Sequence, residues 1–159
     1  MKRVMLVMAG IVLASGIVFA EKSFSAGYEI GEIGNDLTVG GRITSPFFFG
    51  GYAALRAAGD AAWKKTDWSS YGFFRAGLVG SSGMIQDIIR LYGEGGVSLL
   101  YNEEGYRSVL WGGYGLFGFE FFTGKESPLS YFIEMGTLGT SVARLSGFSV
   151  RTGLTFYVR

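Results

Sequence analysis

Tyr106–Thr137 reads Y-R-S-V-L-W-G-G-Y-G-L-F-G-F-E-F-F-T-G-K-E-S-P-L-S-Y-F-I-E-M-G-T, and its alternation decides the fold. Two apolar runs flank the turn sequence Thr123–Pro128. In the first run, Val109, Trp111, Phe117, Phe119 and Phe121 share a face, and Ser108, Gly112, Gly118 and Glu120 lie opposite. In the second, Leu129, Tyr131, Ile133 and Met135 oppose Ser130, Phe132, Glu134 and Gly136. A period of two with aromatic and β-branched content predicts two strands. Each has a broad apolar face and sets one glutamate on the other. A soluble sandwich would turn the apolar face to a core, whereas a membrane barrel turns it to lipid.

The same period recurs outward from this hairpin. Ile85–Tyr101 puts Leu91, Val97, Leu99 and Tyr101 opposite Arg90, Glu94 and Ser98, with kinks at Gly93, Gly95 and Gly96, and Asn102–Gly105 turns it into the hairpin. Trp68–Val79 sets Phe74, Ala76 and Leu78 against Tyr71, Phe73 and Arg75, and ends in the turn sequence Gly80–Gly83. Phe47–Leu55 forms a third strand after Ser45-Pro46 breaks the preceding one. Its Ala-rich continuation Ala53–Ala62 also suits a short helix, and the polar Arg56–Asp67 reads as a loop. Phe24–Gly31 and Leu37–Thr44 alternate on either side of Gly34-Asn35-Asp36. On the C-terminal side, Gly139–Gly147 is a loop around Arg144, and Phe148–Val158 alternates most cleanly of all. The result is eight strands joined by short connections, with no composition shift to mark a second domain.

Composition excludes several function classes. The chain is 48% apolar and 16% aromatic with 2 prolines, which is not the composition of disorder. Cysteine and histidine are both absent, which removes a disulfide framework, thiolate metal sites, and the commonest general base and metal ligand. A net charge of +1 gives no basic footprint for nucleic acid. The glycine pairs 95–96 and 112–113 lack the Lys-Ser/Thr and the helix of a phosphate loop. No catalytic residue, cofactor site or metal site is expected. The N-terminus has its own signature. Met1-Lys2-Arg3, the uncharged 16-residue apolar run Val4–Phe19 and the small Ala20 read as a signal peptide over 1–20, since a spanning helix needs roughly 20 residues. Of 14 basic residues, Lys2 and Arg3 lie in that leader, leaving 12 against 13 acidic residues in the barrel segment 21–159.

The faces opposite the apolar ones carry Glu29, Arg42, Arg75, Arg90, Glu94, Glu120, Glu134 and Arg151. These are four acids and four arginines from seven of the eight predicted strands, with no lysine among them. A solvated outer face requires neither matched charges nor so many accompanying glycines and serines. Arginine suits a dense buried network because its planar fork can serve two carboxylates. Hydrolysis by a carboxylate pair drawn from Glu94, Glu120 and Glu134 is a weaker reading than a structural ladder, because matched charges quench reactivity. The pattern predicts an all-β, eight-stranded antiparallel up-and-down transmembrane β-barrel. The eight charges form its lumen ion-pair ladder, and Trp63, Trp68 and Trp111 lie near strand ends as membrane-interface aromatics. The competing arrangement is a soluble periplasmic barrel of lipocalin type with its apolar face around an apolar ligand. Leu110, Tyr114 and Leu116 on the Glu120 face, and Phe132 beside Glu134, point that way.

With this architecture and the motifs Gly-Leu-Phe-Gly-Phe-Glu-Phe-Phe (115–122) and Gly-Leu-Thr-Phe-Tyr (153–157), the chain resembles the small bacterial outer-membrane barrels, the OmpX-like proteins and the OmpA transmembrane domain. The resemblance implies a Gram-negative cell outer membrane, periplasmic chain ends, outer-membrane lipid as surroundings, and insertion by the barrel assembly machinery. That machinery favours a terminal aromatic residue, a pattern from which Phe156-Tyr157-Val158-Arg159 departs. It also implies outer loops near residues 34–36, 56–67, 102–105 and 139–147. The expected role is structural or an interaction with the cell envelope, without catalysis. A narrow, porin-like pore for small solutes is the alternative should the Glu/Arg ladder leave a water path.

Overall fold

The computed structural model describes residues 24–102, 108–124, 127–140 and 146–158. The expected signal peptide, residues 103–105 of the expected turn and Arg144 lie outside the described residues. Eight strands follow in order: β1 (Ser25–Ile33), β2 (Asp36–Thr44), β3 (Ala53–Trp63), β4 (Ser70–Ile85), β5 (Ile89–Asn102), β6 (Ser108–Phe122), β7 (Leu129–Thr140) and β8 (Gly147–Tyr157). Each pairs antiparallel with its neighbour in sequence, and β8 returns to β1, with Ser25 opposite Tyr157 and Ile33 opposite Ser149. Closure leaves no open sheet edge between the first and last strands. The even strand number puts Phe24 and Val158 at one rim, the near rim, with the connections 45–52, 86–88 and 123–128. The turns at 34–35 and 64–69 lie at the far rim.

The two faces of the wall have opposite chemistry. Outward, Tyr28, Ile30, Ile43, Leu55, Phe74, Val97, Leu99, Val109, Phe117 and Phe156 are exposed. Inward, charged, hydroxyl and aromatic side chains are buried. A lipocalin-type barrel requires the reverse arrangement. No helix among the described residues is long and apolar enough to cross a membrane. The strands, by contrast, run from 9 to 16 residues, and tilted strands of roughly 9–11 residues cross a hydrocarbon core.

Two boundaries differ from those expected. The third strand is Ala53–Trp63, and residues 47–52 form a connection in which Phe49, Gly50 and Gly51 all have positive φ. The polar stretch 56–67 expected as a loop is therefore wall as far as Trp63, and only 64–67 turn: Ala54, Arg56, Ala58, Asp60 and Ala62 point inward, while Leu55, Ala57 and Ala61 point outward. Alanine on both faces hides the alternation. Gly80–Gly83 does not turn the chain, because β4 continues through a bulge between Ser81 and Met84. The reversal comes at Gln86 and Asp87, both in the left-handed region, and β5 begins at Ile89.

Inward glycines make the room that large side chains need. Tyr92 lies opposite Gly118, where an added Cβ would come within 2.6 Å of the Tyr92 ring and 2.9 Å of Glu134 Cγ. Phe132 lies opposite Gly153 in the same way, its ring 2.8 Å from the missing Cβ. Outward Gly115 has nothing within 4 Å of such an atom. Gly118→Ala should lower unfolding stability by about 1–3 kcal/mol through overpacking. Gly115→Ala should be neutral or stabilise by up to about 1 kcal/mol, because it only restricts the unfolded chain. Urea unfolding in lipid vesicles or detergent measures both.

Candidate functional site

The lumen gathers the ionisable chemistry of the chain. All eight charges singled out in the sequence, Glu29, Arg42, Arg75, Arg90, Glu94, Glu120, Glu134 and Arg151, lie inside it and are buried. Strand β3, which had contributed none, adds the buried Arg56 and Asp60. Every strand therefore supplies at least one charge, and among the described residues five arginines face five carboxyls.

They form three clusters, the middle and far ones approaching through Arg75 and Glu94 at 3.9 Å. Toward the near rim, Arg90 Nη1 donates to Glu120 at 3.2 Å and to the Tyr157 hydroxyl at 3.0 Å. Tyr157 in turn donates to Glu120 at 2.6 Å, and Ser130 donates to the same oxygen. In the middle, Glu134 is the hub. It accepts from Arg42, from Arg56 at 2.8 Å and from the Tyr92 hydroxyl at 2.5 Å. Arg56 also bonds Glu94 at 2.7 Å and the Thr44 hydroxyl at 3.0 Å, and Tyr114 donates to Glu94 at 2.6 Å. Toward the far rim, Arg75 bonds Glu29 and lies 3.7 Å from Asp60, and Arg151 lies 3.8 Å from Glu29 and 3.9 Å from Asp60. Arg56 makes the join that its absence from the expected ladder left open, since it ties Glu94 to Glu134.

The aromatic residues on the charged face have a role in the same network. Each lumen arginine sits over an inward ring: Arg42 over Phe132 at 3.3 Å, Arg56 over Tyr92 at 5.0 Å, Arg75 over Tyr114 at 5.6 Å, Arg90 over Phe47 at 4.3 Å and Arg151 over Phe73 at 5.5 Å. A guanidinium is held well against a π face, more so when desolvated. Tyr114 and Phe132, which favoured a soluble barrel in the sequence, are thus stacking partners of the ladder. Tyr92 was legible from its place between Arg90 and Glu94 at period two; Phe47 was not, because it reaches the lumen from a connection.

Two apolar clusters pack among the lumen side chains. Ile33, Ala62, Tyr71, Phe73, Leu100, Tyr114, Leu116 and Leu138 pack together from the far end toward mid-barrel, with Leu110 against them. At the near end Phe47, Ala54, Val79 and Tyr92 form a second cluster. The tryptophans lie elsewhere. Trp63 ends β3, Trp68 sits in the far-rim loop, and Trp111 lies on β6 three residues from its far end. Trp68 and Trp111 are exposed, and Trp63 is half-buried. Asp67 accepts from the Ser69 hydroxyl at 2.7 Å and its backbone N–H at 3.0 Å, bonds that hold its carboxyl below the usual range and fix the loop beside Trp68.

The buried hub and an exposed pair should respond differently to neutralisation. Glu134→Gln leaves Arg42 and Arg56 short of a counter-charge and should cost about 3–5 kcal/mol in urea unfolding. Lys65→Ala breaks a pair with Glu32 whose side chains are about half exposed, and should change stability by less than about 1 kcal/mol.

No protein-family model matches this chain, and no curated protein matches it in sequence. Among solved structures, the N-terminal β-barrel domain of Pseudomonas aeruginosa OprF superposes with a TM-score of 0.65 at 12% identity, covering 87% of this chain and 98% of that one. Ail, the attachment invasion locus protein of Yersinia pestis, solved with the heparin analogue sucrose octasulfate, gives a TM-score of 0.45 at 14% identity over 86% of this chain and 97% of its own. At such identity the likeness to the OprF domain is one of fold alone, that of a closed eight-stranded antiparallel β-barrel.

Proposed function

We propose that this chain is an outer-membrane β-barrel whose lumen is a structural strut and not a conduit, and that it serves the envelope as a lipid-embedded scaffold or interaction module without catalysis. One observation carries this reading: an apolar outer wall encloses a buried, matched ladder of arginines and carboxyls packed among apolar side chains. Outer-membrane lipid is the surrounding that suits the outer wall, and the barrel assembly machinery is the partner such a wall needs for insertion. The exposed Trp68 and Trp111, both toward the far rim, suit a headgroup interface there, with Trp63 beside them. A conducting pore would need a continuous water path through these buried charges.

The expressed protein should fractionate with outer membranes, migrate differently on a detergent gel before and after boiling, and begin at Glu21 when its N-terminus is sequenced. Reconstituted in a planar bilayer, it should give no discrete channel steps. Steps whose size changes in Glu120→Gln or Arg151→Gln would establish the pore instead. Release into solution without detergent would remove the membrane assignment altogether.

A further inference from the structure

Phe47 is the one buried residue outside the eight strands among the described residues. Connections ordinarily run over a protein's surface. The neighbours of Phe47 obey that rule: Phe49 and Tyr52 are exposed, and Phe48 packs edge-on against Phe49 at 5.1 Å. Phe47 alone turns inward, and its ring centroid lies 4.3 Å from the Arg90 guanidinium. Phe122 on β6 and Tyr157 on β8 also face that cation, at 5.1 and 5.9 Å. Strand pairing fixes Phe122 and Tyr157 in place. Of the three rings around Arg90, Phe47 is the one that can leave without unpairing a strand.

The backbone suits such a departure. Before Phe47 the chain is tied to the wall: the Ser45 N–H donates to Leu55 O at 2.8 Å, and the Ser45 hydroxyl accepts from the Leu55 N–H at 2.9 Å. After Phe47 it is held by an isolated pair, Phe48 with Ala53, that belongs to no ladder and can break without disturbing the register. Phe49, Gly50 and Gly51 follow in the left-handed region, which a phenylalanine enters only at a steric cost. The cluster behind Phe47 is also the part of the ladder nearest to water. The Arg90 side chain is 9% exposed, against 4% or less for Arg42, Arg56, Arg75 and Arg151. We propose that residues 45–52 form a hinged strap and that Phe47 is its stopper. With the ring in, Arg90, Glu120, Ser130 and Tyr157 are sealed at the near rim. With the ring out, they line a polar chamber open to water while the strands stay paired. The chamber is blind, because Glu134 and its two arginines fill the lumen behind it. Its blindness rests on the strut reading above; the seal does not.

The chain has no cysteine, so a single introduced thiol is an unambiguous reporter. Ser130→Cys puts one in the chamber beside Glu120, and Ser98→Cys puts one in the far half opposite Arg75; both serines are buried. A small charged methanethiosulfonate is added to the folded barrels in detergent. It should label the Ser130→Cys thiol slowly while Phe47 is in place, and roughly tenfold or more faster when Phe47→Ala is added, because the rate follows how often the site opens. The Ser98→Cys thiol should stay protected in both backgrounds. Equal rates at Ser130→Cys with and without the Phe47 ring, both fast or both slow, overturn the stopper. So does labelling of Ser98→Cys in Phe47→Ala, which would mean that the whole wall has loosened and not the strap alone. Phe47→Leu loses the ring face over Arg90 and keeps much of the bulk. Its rate at Ser130→Cys should exceed the wild-type rate, and a rate equal to wild type overturns the proposal even if the alanine variant does not fold.

Discussion

The whole structure depends on putting ten ionisable side chains where water does not reach them. A charge inside an apolar-walled tube is tolerable only when it is paired and its remaining hydrogen-bonding capacity is used. Glu120 meets that condition, with the Tyr157 and Ser130 hydroxyls on one oxygen and Arg90 on the other. Other features of the wall follow from it. Arginine is required because one guanidinium must reach two carboxylates, as Arg56 does for Glu94 and Glu134. Glycine is required on facing strands because rings such as Tyr92 and Phe132 must lie flat across the wall to back those guanidiniums.

This packing also explains how a barrel of only eight strands is filled. Such a barrel leaves an interior just wide enough for side chains. Here the filling is mixed, with ion pairs stacked on inward rings that themselves belong to the apolar clusters. The outer surface is left to large aliphatic and aromatic side chains that no protein group covers. Inside and outside are thus set by one periodicity, and the same residue that presents an apolar side chain to the surroundings fixes the inward direction of its neighbours.

Much of this was legible in the sequence, for a definite reason. Where apolar and small-or-charged residues alternate most cleanly, as in Phe148–Val158, both the strand and its inward face follow from period two alone. Where both faces carry alanine, as in Ala53–Trp63, the period is still present in space but invisible in composition, and Arg56 and Asp60 were lost with it. Glycine and serine at 80–83 gave a turn signal that the β4 bulge absorbs, so the true reversal at Gln86-Asp87 lay in residues with no turn signature of their own. Three-dimensional partnership was the other missing part. Period two places Phe132 beside Glu134 in the lumen, but only the closed barrel brings Arg42, 90 residues earlier, over its ring.

Closure of β1 against β8 has a kinetic corollary. The far-rim quartet takes Glu29 from β1, Asp60 from β3, Arg75 from β4 and Arg151 from β8, so it exists only once the two ends of the sheet have met. An intermediate with that seam unzipped holds Arg151 on β8 apart from Glu29, Asp60 and Arg75 on the contiguous strands β1 to β4, and leaves part of their charge unmatched. Such a state is penalised wherever water is scarce, so the seam opens and shuts as a unit instead of fraying. The slowest, most non-local contact in the molecule is therefore the one that commits it, and a half-assembled wall has no resting place on the way.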